Sequence, residues 1–122
     1  MGSLPRRLLA GLIALSTAFA LAGCGSGSDG SSGSHTPEHV KVTIKGDSVT
    51  PQSKAINASV GQPIVLDVTS NRNGELHVHS SPEHEFEVAP GHSKYTFTLQ
   101  QPGLVDVEEH VSNVPVLRIT VQ

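Results

Sequence analysis

Three imidazoles and a pair of carboxylates are the residues of this chain whose types and spacing suit chemistry. His77 and His79 stand two apart in Leu76-His77-Val78-His79. In an extended strand that spacing sends both rings to one face, opposite to Leu76 and Val78, so neither ring is needed to fill a core. Later comes Glu108-Glu109-His110. If the fold lays that stretch beside the one carrying His77, three nitrogens and one carboxylate, Glu109 or Glu108, converge at one end of the domain. Such an N/O set suits Cu(II), Ni(II) or Zn(II), with Cu(II) favoured by intrinsic affinity. Zinc would take three or four of these ligands tetrahedrally. The plain alternative is a pair of surface imidazoles and a third that opens a loop.

The remaining histidines read more simply. His84 lies in the acidic loop Ser80-Ser81-Pro82-Glu83-His84-Glu85 and His92 in the Pro90-Gly91 turn, both expected to be solvated and each able to lend a further ligand. His35 and His39 flank a tether. The acids Glu83, Glu85, Glu87, Asp106, Glu108 and Glu109 read first as a soluble face with edge-strand protection, and they raise the local concentration of cations.

Composition excludes several classes. At 122 residues there is room for one domain. A formal charge of −3 argues against nucleic acid, since phosphate binding needs a basic surface. One cysteine permits no internal disulfide, no CxxC redox pair and no thiolate zinc cluster. Enzyme chemistry is poorly supported: Ser80, Ser81 and His84 lack a nucleophile-elbow context. Glu108 and Glu109 are adjacent, face opposite sides of a strand and cannot act on one bond. The expectation is a protein that is not an enzyme.

The elements that must position these residues begin after an address. Arg6 and Arg7 precede an uncharged run, Leu8 to Ala22, too short for a comfortable transmembrane helix but suited to the h-region of an export signal. The run ends in Leu21-Ala22-Gly23-Cys24, which resembles the lipobox of bacterial lipoproteins. That resemblance implies removal of residues 1–23, acylation of Cys24, and a protein anchored by lipid to the extracytoplasmic side of the cell membrane. Loss of Arg6 and Arg7 leaves 6 Lys+Arg against 11 Asp+Glu, a formal charge of −5. Residues 24–37 carry the acylated Cys and a Gly/Ser-rich tether, a flexible coil that cannot bury a core.

From 38 to 122 the hydrophobic period is two. Alternation runs through Val40-Ile44, Ile56-Val60, Ile64-Val68, Leu76-Val78, Phe86-Val88, Tyr95-Leu99, Val105-Val107 and Leu117-Val121. Turn signals stand at Gly46-Asp47, Val60-Gly61-Gln62-Pro63, Asn73-Gly74, Pro90-Gly91 and Pro102-Gly103. Seven or eight short, half-buried antiparallel strands predict an all-β sandwich.

Several phrases in order resemble the cupredoxin-like domains of exported bacterial proteins: Gly46-Asp47-Ser48-Val49-Thr50-Pro51, Val60-Gly61-Gln62-Pro63-Ile64-Val65-Leu66, Val68-Thr69-Ser70, Glu75-Leu76-His77-Val78-His79, Pro90-Gly91, and Pro102-Gly103 ahead of Asp106-Val107-Glu108. The resemblance covers nearly the whole folded part and implies a Greek-key β-sandwich. It places the family's first copper-binding histidine at His77, its cysteine at Glu109 and the neighbouring position at His110. No methionine follows Met1. A type 1 copper site needs a thiolate in a His₂Cys set, and none is available there. The leading expectation is therefore a lipid-anchored domain that binds one divalent metal, copper favoured and zinc or nickel as alternatives, through His77, His79, His110 and Glu109, without type 1 electron transfer. The rival is a metal-free sandwich that contacts an envelope protein partner. A third reading is delivery of metal to an importer, implied by the similarity of the same phrases to iron-uptake lipoproteins.

Overall fold

The computed structural model describes residues 35–122. The signal segment, Cys24 and most of the tether lie outside the described residues. Nine strands follow in order: β1 (Glu38–Lys45), β2 (Ser48–Thr50), β3 (Lys54–Ala58), β4 (Pro63–Ser70), β5 (Gly74–Val78), β6 (His84–Val88), β7 (Gly91–Thr98), β8 (Gly103–Glu109) and β9 (Val114–Val121). They form a four-stranded sheet, β2-β1-β4-β7, and a five-stranded sheet, β3-β9-β8-β5-β6. The two inner faces pack Val40, Val42, Ile44, Ile64, Leu66 and Val68 against Leu76, Val78, Val105, Val107, Leu117 and Ile119, all buried. These are the apolar members of the alternating pattern, so period two carries straight through to the core.

Two expectations need correction. The count is nine rather than seven or eight because β2 is three residues long with only Val49 buried, too short for alternation to register. Nor are all pairs antiparallel: β1 runs parallel to β4 and β3 parallel to β9. Parallel neighbours need a crossover, and the chain supplies one by leaving the first sheet after β2, forming β3 in the second and returning as β4. The β1–β2 hairpin turns on Gly46-Asp47, where φ of Gly46 is 54°, a value that favours glycine. Ile56 and Ala58 are buried, but β3 stops at Ala58 and Val60 is left exposed in the turn.

Two features place the functional residues. The β5–β6 hairpin pairs His77 with Glu85 and Val78 with His84, while β5 and β8 pair Leu76 with Glu109, His77 with Glu108 and Val78 with Val107. A bulge in β9 then lets Glu108 face Pro115 while Val107 faces Leu117, so Val116 and Leu117 are both buried. Along the β6–β7 edge the sandwich is closed by aromatic rings, with Phe86 and Tyr95 centred 5.0 Å apart and Phe86 and Phe97 6.0 Å apart.

Candidate metal centre

His77 lies in β5 with its ring on the outer face of the five-stranded sheet, and only 13% of its side chain is open to solvent. His79 follows one residue after the strand, but its N–H still donates to the Asp106 carbonyl at 2.9 Å, which keeps it in register. The two rings are centred 4.3 Å apart. The ring of His110, in the turn after β8, is centred 6.0 Å from that of His77, and its N–H donates to the Glu75 carbonyl at 2.9 Å. The three imidazoles are thus neighbours, spread along the outer side of β5 rather than gathered at one end of the sandwich.

Carboxylates reach the rings diagonally. By register Glu85 and Glu108 flank His77. Yet His77 Nε2 lies 3.2 Å from Glu83 Oε2, with Glu85 Oε1 at 3.8 Å, and His79 Nε2 lies 3.3 Å from Glu108 Oε2. Diagonal cross-strand neighbours are within reach of long side chains. Asp106, which neighbours His79 on β8, is already engaged: Arg118 Nε donates to its Oδ1 at 3.0 Å. The β5–β6 turn that returns Glu83 over the rings is tightened by Ser80, whose hydroxyl donates to the Pro82 carbonyl at 2.6 Å.

His77, His79 and Glu83 each offer a ligand atom, all lying within 4.8 Å of one another. Metal–ligand bonds of about 2.0–2.2 Å bring such atoms roughly 3–4 Å apart, so small side-chain rotations would close the set around one ion. The acidic surroundings favour a cation. Glu75, Glu83, Glu85, Glu87, Asp106 and Glu108 belong to the same outer side, and Glu75 stands directly opposite Glu87, a like-charge pairing that costs stability.

Glu109 is not part of this group, which corrects the expectation that it joins the histidines. It pairs with Leu76, points inward with Val105 and Val107, and is 0% exposed. Its two oxygens accept from Arg72 Nη1 at 3.2 Å and Nη2 at 3.0 Å, and Oε2 also accepts from the Ser112 N–H at 2.8 Å and from the Ser112 hydroxyl. Burial works to raise its pKa, but the Arg72 guanidinium and the two Ser112 donors outweigh it and hold the carboxyl at about 2. A Cβ at Gly74 would lie 2.8 Å from Glu109 Oε1 and 3.1 Å from Arg72 Nη1, so any larger residue must displace the ends of these two side chains. Glu109 is thus committed to a buried ion pair.

Of the two remaining loop histidines, His84 departs from its sequence reading, whereas His92 is exposed as expected but lies in a strand. His84 is the first residue of β6, half-buried and stacked parallel to Phe86 at 6.2 Å. His92 sits in β7, with Nδ1 2.9 Å from Thr69 Oγ1 directly opposite it on β4 of the same sheet. Neither reaches the cluster. Glu83, which sequence reading left among the solubilising acids, does reach it. The β5–β6 register, continued by one pair into the turn, sets residue 83 opposite His79, and that signal was available.

No family model matches this sequence, and no curated protein does. Solved structures do resemble the domain. A methionine-to-alanine variant of amicyanin in its Cu(I) form aligns with a TM-score of 0.52 at 11% identity, over 69% of this chain and 82% of that one. A multi-copper oxidase from Pediococcus acidilactici also gives 0.52, at 12% identity over 71% of this chain and 26% of its own. A heme-copper terminal oxidase gives 0.50 at 15% identity, over 70% and 65%. At these identities the likeness concerns architecture, and with nine strands in two mixed sheets the domain is a β-sandwich of the cupredoxin fold.

Proposed function

We propose that this chain is a lipid-anchored extracytoplasmic protein whose cupredoxin-fold domain binds one divalent metal ion, copper in preference to zinc or nickel, and does so without type 1 electron transfer. The observation that carries the reading is the convergence of His77, His79 and Glu83 within 4.8 Å on the outer face of the five-stranded sheet. His77 and His79 supply imidazole nitrogens and Glu83 an oxygen; Glu108 and His110 stand next to them as further donors. Bound there, the metal would cancel part of the repulsion among the surrounding carboxylates. Imidazole must be unprotonated to coordinate, so affinity falls as the solution is acidified.

Isothermal titration of the protein with Cu(II), Zn(II) and Ni(II) tests the reading. Cu(II) should bind most tightly, and His77→Ala/His79→Ala should weaken it by about two orders of magnitude or more. Equal affinity in the wild type and the double variant would reject the site. The anchor is tested separately: Cys24→Ala should leave the chain unprocessed or release it from membranes. What supports the anchor is the Leu21-Ala22-Gly23-Cys24 sequence.

A further inference from the structure

We infer that the site distinguishes the oxidation states of copper, holding Cu(II) and giving the metal up on one-electron reduction to Cu(I). This rests on the metal-binding reading above. The first argument is donor chemistry. Every candidate ligand in the cluster is an imidazole nitrogen or a carboxylate oxygen: His77 and His79 with Glu83, then Glu108 3.3 Å from His79 and Glu85 3.8 Å from His77. Residues 35–122 contain neither cysteine nor methionine, so no neighbouring loop of the domain can bring sulfur to the metal. Cu(I) is selected by thiolate and thioether, whereas imidazole and carboxylate suit the divalent ion.

The second argument is charge. Six carboxylates share this outer side, and Arg118, which faces Asp106 across the β8–β9 pair, is committed to it at 3.0 Å. Coulomb attraction to such a field is twice as large for a dication as for a monocation. Solvent access points the same way. The His79 side chain is 42% exposed and that of Glu83 59%, so the higher charge stays solvated and the ion has an open way out.

The release step balances simply. One electron from a small-molecule reductant such as ascorbate converts bound Cu(II) to Cu(I), and no protein group is oxidised or reduced. His77 and His79 then fall back on Glu83 and Glu108. The departing Cu(I) passes to any acceptor offering sulfur or another soft ligand.

Competition assays on the full chain in detergent decide the matter, with Cys24→Ser in every sample so that an unmodified thiol cannot bind Cu(I). In the oxidised arm, Cu(II) competed against nitrilotriacetate should stay with the protein and be lost about a hundredfold more readily from His77→Ala/His79→Ala. In the anaerobic arm with ascorbate, Cu(I) should pass to bicinchoninate equally from the protein and the double variant. Glu83→Gln/Glu108→Gln should weaken Cu(II) binding about tenfold and leave Cu(I) transfer unchanged. Retention of Cu(I) by the wild type but not by the double variant overturns the inference while leaving metal binding intact. Cu(II) affinity equal in wild type and double variant removes the metal-binding reading, and the inference with it.

Discussion

Glu108 and Glu109 are adjacent in the chain and have opposite fates. Glu108 lies on the outer side of β8, partly open, beside His79. Glu109 is sealed inside, with Arg72 and Ser112 occupying both of its oxygens. Strand parity alone separates them. One carboxylate remains free to help hold a cation; the other has been neutralised by a fixed guanidinium and stabilises the junction of the β4–β5 and β8–β9 turns. A buried charge is tolerated only when paired and hydrogen-bonded, whereas an outer one can wait for its counter-ion.

Breaking the inner half of that comparison gives the largest effect. Glu109→Ala leaves the Arg72 guanidinium with the Gly46 and Asn73 carbonyls and the Ser112 hydroxyl but without its counter-charge, and chemical denaturation should show a loss of about 3 kcal/mol. Cu(II) affinity of the molecules that remain folded should not change, because Glu109 does not touch the cluster.

Acid should weaken the same pair. Its carboxyl lies below its ordinary value of 4.5, at about 2 when folded. A depressed carboxyl stabilises the fold fully above the unfolded value and loses that contribution as pH falls through the folded one. About 3 kcal/mol should therefore disappear between pH 4.5 and 2. In Glu109→Gln that part of the acid transition should be missing from denaturation curves taken across this range.

Smaller changes sharpen the contrast. Gly74→Ala drives a methyl group against Glu109 and Arg72 and should cost about 1–3 kcal/mol in thermal or urea unfolding. On the outer side Glu85→Gln, whose carboxylate is 65% exposed, should alter unfolding by no more than about 0.5 kcal/mol. A large loss of stability from Glu85→Gln would erase the distinction between the two faces.

Much of this architecture is legible in the sequence. Alternation named the core strands because each apolar residue of β1, β4, β5, β8 and β9 needed only a face, not a partner. The pairing of His77 with His79 followed from the same period. The surroundings of Glu109 are not legible, because the register that sets it opposite Leu76 depends on how β5 and β8 meet, a long-range contact. Parity with Val105 and Val107 still pointed inward. The Arg72 clamp was invisible for a further reason: a lone arginine in a turn gives no sign of which carboxylate it will meet 37 residues later. Parallel pairing of β1 with β4 likewise depends on which sheet each crossover enters, which local sequence does not encode.

In the proposed site the imidazoles of His77 and His79 hold the metal on the outer face. Electron paramagnetic resonance of the protein loaded with one equivalent of Cu(II) tests it most directly, through the nitrogen couplings of histidine ligands. Couplings from at least two imidazoles should be present in the wild type and lost in His77→Ala/His79→Ala, with Glu109→Gln giving the wild-type spectrum. An identical spectrum from the double variant would contradict it.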